Sequence, residues 1–375
     1  MITKSVVKGI STITGELPLL FNSIIVIILM TISPCCLADP LQKMENIFGQ
    51  LVDIGTHKLH INCQGDKSPT IIIDSGLGGF SLEWVNLQKE LSKTSRVCTY
   101  DRAGYGWSES GPLPRTTEQI AKELHLLLIL AKVPGPYILV GHSFGGYNIR
   151  YYASKYPEMI AGLIFIDSSH PEQYNRMPRP EIKAATIKGI RIKLAYPVLS
   201  SNFPEKYKQQ AYMLMSNYKA RHTQINELEN FNLSAKQVMA NNHLPNVPIT
   251  VVTRGKRVWP ENDFGDRAEQ TWFELQSELI NLSDDSTQIF AHESGHAIHL
   301  DEPVVVYEAI STTVNKSHLI SDFNMKYEKS REVIHQNLVT MRFENIDNLP
   351  LFVYNQSIKP VTEITYFLNL QSDIF

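Results

Sequence analysis

Residues Tyr137 to Tyr151 read YILVGHSFGGYNIRY. The apolar run Tyr137-Ile138-Leu139-Val140 predicts a buried strand, and an amphipathic helical pattern follows Gly145. Between them Gly141-His142-Ser143-Phe144-Gly145 makes a sharp strand-to-helix turn with Ser143 at its tip. The flanking glycines let the backbone bend that tightly, and the turn holds the serine hydroxyl out of the sheet. A G-x-S-x-G pentapeptide is a weak signal by itself, because Gly and Ser are common residues. Its place between a strand and a helix gives it meaning, and the rest of the chain must supply partners for the serine.

Outward from this turn, strands and helices alternate. Leu59–Cys63, Thr70–Asp74, Arg96–Tyr100, Ala161–Asp167, Pro248–Thr253 and Thr287–Ala291 read as strands. Trp84–Leu91, a stretch capped by Thr116 or Thr117 and ending at Leu130, and a stretch ending at Lys155 read as helices. So do Trp272–Leu282 and Pro303–Thr313. The spacing predicts an α/β fold, with a mostly parallel central sheet flanked by helices. From about residue 168 to 246 the rhythm breaks into helical stretches, Glu205–Ala220 and Ala235–Asn241 among them, with proline-rich breaks. Its position directly after a strand end suits a helical lid over Ser143. The pattern weakens over residues 314–375, which read as a C-terminal extension.

The chain has 375 residues, 43% apolar, and a net charge of −3. That excludes wholesale disorder and gives no electrostatic reason to expect a nucleic-acid partner. Lys4 and Lys8 precede an apolar stretch, Leu17–Ile32, and Cys36-Leu37-Ala38 offers the small residues a signal peptidase reads. Residues 1–38 therefore read as a secretory signal, or alternatively as an uncleaved membrane anchor. The expectation is an exported protein, periplasmic or secreted, touching a membrane only through that segment. Cys63 and Cys98 then remain in the mature chain, to be bridged in an oxidising compartment or buried as free thiols.

A serine hydroxyl is a poor nucleophile until a base takes its proton. His296, in Glu293-Ser294-Gly295-His296, follows the last predicted strand and precedes the last predicted helix, where such a base is needed. A buried carboxylate must then orient the imidazole.

Three stretches together carry a family resemblance: Gly141–Gly146, Tyr100-Asp101-Arg102-Ala103-Gly104-Tyr105-Gly106-Trp107-Ser108, and Ser294-Gly295-His296 followed by Leu300-Asp301-Glu302-Pro303. Over about residues 51–313 the chain resembles the α/β-hydrolase superfamily, in its lidded, serine-nucleophile esterase-like branch. The resemblance implies Ser143 as nucleophile and His296 as base. It also implies an oxyanion hole from the backbone N–H groups of Leu77 and Phe144. The usual acid position after the Pro248–Thr253 strand holds Val258, so the acid passes to Asp167 or, as the alternative, to Asp263, with Asp266 nearby. The resemblance makes the strands of Cys63 and Cys98 neighbours, which makes a disulfide between them reasonable.

His292-Glu293-Ser294-Gly295-His296 also matches H-E-x-x-H, a zinc motif that requires a helix. The β-like run before it, Gly295 and Pro303 argue against one, so no metal and no cofactor is expected. His292 and His299 read as surface or loop residues, His142 as a packing residue, and His170 as a pocket or turn residue. The expected activity is hydrolysis of a small or medium, largely apolar carboxylic ester. Serine at position 143 argues against epoxide hydrolase or dehalogenase chemistry, which needs a carboxylate nucleophile. Amide or peptide cleavage of the proline-iminopeptidase type, or a ligand receptor built on a hydrolase fold, are the alternatives.

Overall fold

The computed structural model describes residues 48–178 and 199–319. The predicted leader (1–38), part of the predicted lid and the extension from residue 320 lie outside them. The chain divides into two units, Met1–Thr313 and Val314–Phe375, and the features below belong to the first.

Eight strands form one sheet: β1 (Gln50–Asp53), β2 (Lys58–Gln64), β3 (Thr70–Asp74), β4 (Arg96–Tyr100), β5 (Tyr137–His142), β6 (Ile160–Ile166), β7 (Ile249–Arg254) and β8 (Ser286–Ala291). Their order is β1-β2-β4-β3-β5-β6-β7-β8. β1 pairs antiparallel with β2, and β2 with β4; the remaining pairs are parallel. Every residue of β3, β5 and β7 is buried, as continuous apolar runs covered on both faces should be.

Helices of seven residues or more include α1 (Val85–Leu91), α2 (Thr117–Leu130), α3 (Gly145–Lys155), α4 (Lys208–Ser216), α5 (Tyr218–Glu229), α6 (Phe231–Ala240) and α7 (Asp263–Glu278). Residues 303–313 are also helical. The Thr116 side chain caps α2 by accepting the Gln119 N–H. Ile120, Leu124 and Leu127 of α2 join Tyr147 and Tyr151 of α3 and Leu139 and Leu163 of the sheet in one core. The segment between β6 and β7 carries α4, α5 and α6. Leu214 and Ala220 from it pack with Phe80, Tyr105 and Trp107 in a second apolar cluster.

Three sequence expectations differ from this fold. The helix expected over Glu205–Ala220 is broken at Asn217, whose extended backbone ends α4 and whose side chain caps α5 at the Ala220 N–H. The helix expected from Trp272 begins at Asp263, because Asn262 caps it and Gly265, which reads as a breaker, supplies the capped N–H. β1 is a short, mostly exposed edge strand without apolar alternation, so no period announces it.

The antiparallel pairing sets Cys63 opposite Cys98. The two sulfurs are bonded, 2.00 Å apart, with Cys98 buried and Cys63 exposed.

Candidate active site

β3 lies between β4 and β5, so the chain leaves its carboxyl end and that of β5 in opposite directions across the sheet. The crevice at such a switch point is where open α/β sheets bind ligands. Asp74 at the end of β3 is in register with Gly141 at the end of β5. The Ser75–Gly79 loop therefore faces Ser143 across the crevice.

Ser143 has φ of 52°, the left-handed region that a non-glycine residue rarely adopts. The turn presses against its neighbours. A Cβ on Gly145 would sit 2.3 Å from the Asp74 carbonyl oxygen, and one on Gly141 would sit 2.7 Å from the Gly145 carbonyl oxygen. Two bonds tie the strained residue to the adjacent strand end: its N–H donates to the Ile166 carbonyl (3.2 Å), and its carbonyl accepts from the Ser169 N–H (2.9 Å).

Asp167 follows β6 directly and is fully buried. Its Oδ2 lies 2.6 Å from His296 Nδ1. Its Oδ1 accepts from Trp272 Nε1 at 2.7 Å. Arg254 at the end of β7, itself buried, places its Nε 3.4 Å from Asp167 Oδ2 and pairs through Nη1 with Glu269 at 2.7 Å. The carboxylate is thus held on both oxygens and shielded from water, while 43% of the His296 side chain is exposed.

The His296 loop is fixed from two sides. Asp301 Oδ2 accepts from the Gly295 N–H (3.1 Å), and His142 Nε2 donates to the His296 carbonyl (2.9 Å). Residues 292–296 are not helical, and His292 stacks on Phe290 while His296 meets Asp167. The two histidines of the H-E-x-x-H match therefore do not share a helix face.

The alternative acid, Asp263, lies on α7. It is the exposed first residue of α7, and Asp266 pairs with Arg257 at 2.6 Å. The carboxylate hydrogen-bonded to His296 Nδ1 is that of Asp167. Val258, at the usual acid position, instead lines the cavity beside Ser143.

The Ser75–Gly79 loop closes a turn, Gly79 N–H to Gly76 carbonyl at 3.0 Å. Arg102 holds it from beneath, donating to the Ser75 carbonyl (2.5 Å) and the Gly76 carbonyl (2.8 Å). The same guanidinium pairs with Asp74 (2.9 Å) and with Glu227 of α5 (2.9 Å), and all three side chains are buried. Tyr105 also donates to Glu227. Burial lowers the Arg102 pKa, but Glu227 and Asp74 outweigh this and keep it raised. With its carbonyls drawn down, the loop leaves the Leu77 N–H without an acceptor among the described residues, as is the Phe144 N–H. Arg102 stands in a quoted motif, but its reach to Glu227, 125 residues away, has no local sequence signal.

Two cavities meet at Ser143, and Leu77, Ser143 and His296 line both. The larger, about 680 Å³, is walled by Phe144, Leu228, Phe231, Trp259, Trp272 and Met177. The smaller, about 390 Å³, is bounded by Gly76–Gly79, Glu83, Gln224 and Arg221. His170 is buried near Ser143 but lines neither.

Behind His296 sits a buried group that the sequence reading misplaces. His299, expected at the surface or in a loop, is 4% exposed, because α1's neighbour Trp84 stacks on its ring at 4.1 Å. Among the described residues neither ring nitrogen has a hydrogen-bond partner. Burial, aided by His296, lowers its pKa to about 3, with Asp301 opposing. Burial likewise lowers His142 well below its ordinary value, while burial raises Glu83, 3.7 Å from His299, to about 7. An unfolded histidine titrates near 6.5, so between about pH 6.5 and 3 the unfolded chain binds the extra proton. The stability from neutral His299 is therefore complete above pH 6.5 and lost as pH falls toward 3. Glu83 acts oppositely, its contribution falling as pH rises from about 4.5 to 7. His299→Phe is expected to flatten the acid slope of stability by about one proton, roughly 1 kcal/mol per pH unit between pH 6 and 5. Urea unfolding at both pH values checks this; parallel losses in the two proteins would contradict it.

Comparison with known proteins agrees with this architecture. A family model described as the alpha/beta hydrolase fold matches residues 69–243. The uncharacterized protein YqjL of Bacillus subtilis is 30% identical over 249 residues, 66% of this chain and 84% of YqjL. The chain belongs to the α/β-hydrolase superfamily. Among solved structures, an enol-lactonase from Burkholderia xenovorans is 17% identical, with a TM-score of 0.52 over 71% of this chain and 100% of that one. A thermophilic esterase from Thermogutta terrifontis is 20% identical, with a TM-score of 0.50 over 72% of this chain and all of the esterase. At these identities the likeness is one of fold.

Proposed function

We propose that the protein is a serine hydrolase that cleaves a small or medium, largely apolar carboxylic ester through an acyl-enzyme. The observation that carries this is the convergence of Ser143, His296 and Asp167, with 2.6 Å between the Asp167 carboxylate and His296 Nδ1. In this reading His296 Nε2 takes the Ser143 proton as Oγ bonds to the ester carbonyl carbon. The carbonyl π pair moves to oxygen, and the oxyanion accepts from the Leu77 and Phe144 N–H groups, which is worth several kcal/mol in related sites. Collapse expels the alkoxide, which takes the proton from His296. Water then repeats the sequence on the acyl-enzyme and releases the acid. Asp167 holds the Nδ1–H tautomer and balances the imidazolium without taking the proton.

The apolar walls of the larger cavity support the ester preference, and α5 and α6, which contribute Leu228 and Phe231, support a lid role for the insertion. Among the described residues no carboxylate lines that cavity, so a substrate ammonium would find no partner among them, which weighs against the peptide-cleaving reading. Export through residues 1–38 remains part of the proposal. A fluorophosphonate probe tests the core of it: wild type should be labelled covalently at Ser143, and folded Ser143→Ala should not. An unlabelled wild type would refute the enzyme reading and favour the receptor alternative.

A further inference from the structure

The two cavities differ in chemistry as well as size, and a carbonyl placed at Ser143 must send one half of its ester into each. The larger is walled by aromatic and aliphatic side chains, and its one cation among the described residues, Arg254, is already paired with Glu269 and Asp167. The smaller sets Glu83, Gln224 and Arg221 beside Leu77, Met215 and Ala220, and is the more polar of the two. Among the described residues the Gln224 amide has no hydrogen-bond partner, so two donors and one acceptor face the space. Glu83 presents its carboxyl there, 15% exposed, with His299 3.7 Å away on its far side. Gly78, at φ of +79°, keeps the floor open: a Cβ there would meet the Gln224 amide at 2.7 Å.

We propose that the smaller cavity binds a hydroxylated half of the substrate, a glycerol-like polyol moiety, while the larger takes an apolar half. This rests on the ester-hydrolase reading above. An apolar group in the smaller cavity would strand the Gln224 amide, at a cost near that of a lost hydrogen bond, and would leave the Glu83 carboxyl with the Phe80 N–H as its donor and no further partner among the described residues. Hydroxyl groups donate to Glu83 and accept from Gln224, so they satisfy both. An anionic group would face the Glu83 carboxyl, and a cationic one would pass Arg221 at the exposed rim. The raised pKa of Glu83, about 7, adds to this, since a carboxyl near half-protonation both donates and accepts. The volume, about 390 Å³, admits a glycerol-sized group with water beside it.

The test measures kcat/KM on matched esters with active sites titrated by a fluorophosphonate. 1-Hexanoylglycerol is compared with butyl hexanoate, and hexyl glycerate with hexyl butanoate, so that either half can carry the hydroxyls. Hexanoylcholine serves as the cationic comparator. The hydroxylated ester of one pair is expected to be preferred at least tenfold, about one well-made buried hydrogen bond. Gln224→Leu and Glu83→Leu should each lower that preference fivefold or more. Ratios within twofold in both pairs, or a preference for hexanoylcholine over 1-hexanoylglycerol, would overturn the assignment and leave the hydrolase reading intact. No labelling and no turnover of any ester would refute both.

Discussion

Asp167→Asn is expected to lower kcat about 10⁴-fold with little change in fold. The amide is isosteric with the carboxylate, so packing at the buried end of β6 is preserved. What changes is the proton on His296. An Asn can turn its NH₂ toward Nδ1, which then accepts a hydrogen bond, and the tautomer places the proton on Nε2, where the base must be empty. The amide also withdraws the negative charge that balances an imidazolium. Trp272 Nε1, 2.7 Å from Oδ1, already claims the other side of the group, which favours this wrong orientation of the Asn. Asp263→Asn should leave kcat within about twofold, since surface changes away from a site have small effects. Steady-state kinetics on a hexanoate ester decides between them, and a large loss in Asp263→Asn with little loss in Asp167→Asn would move the acid role to α7.

Arg102→Leu is the second large effect. It leaves the Asp74 and Glu227 carboxyls, both buried, without their cation. Breaking a buried pair from one side costs about 3–5 kcal/mol, because the remaining charge is uncompensated. Burial already raises the Asp74 pKa against the pull of Arg102, so the carboxylate depends on that cation. The Ser75 and Gly76 carbonyls lose their donor as well, and the Leu77 N–H loses the frame that aims it. The variant should therefore lose both stability and turnover. Adding Glu227→Leu should recover part of the stability, since Tyr105 alone then loses a partner, while the turnover stays low. Urea unfolding of the two single variants and the double variant gives the coupling. A loss below 1 kcal/mol in Arg102→Leu would show that the network is incidental to the fold.

The parts legible in the sequence are those with local signals. The buried parallel strands announced themselves as continuous apolar runs, and Thr116 and the elbow glycines marked their turns. Ser143 and His296 stood at the ends of predicted strands, so their place in the crevice followed from the fold. The acid did not follow. Asp167, Asp263 and Asp266 are all carboxylates in the permitted interval, and only three-dimensional distance separates the one at 2.6 Å from His296 from those at the start of α7. His299 was misplaced for a related reason: a histidine after a loop looks solvated unless the Trp84 ring that covers it is known. The Arg102–Glu227 pair joins residues on different elements, and no periodicity encodes that.

The origin of the proposed acid on β6 has a consequence for how this protein can diversify. With Asp167 beside the strand-to-helix turn, the carboxylate that meets His296 comes from the strand adjacent to the nucleophile's own. The loop after β7 carries Val258 and Trp259 into the larger cavity and does not supply the carboxylate that meets His296, while its backbone stays tied to Glu269 and, through Lys256, to the Ser294 carbonyl. Side-chain changes at Val258 can reshape what fits against Ser143 while that backbone frame holds. A lineage built this way can therefore explore new substrates through one loop, under selection on shape alone.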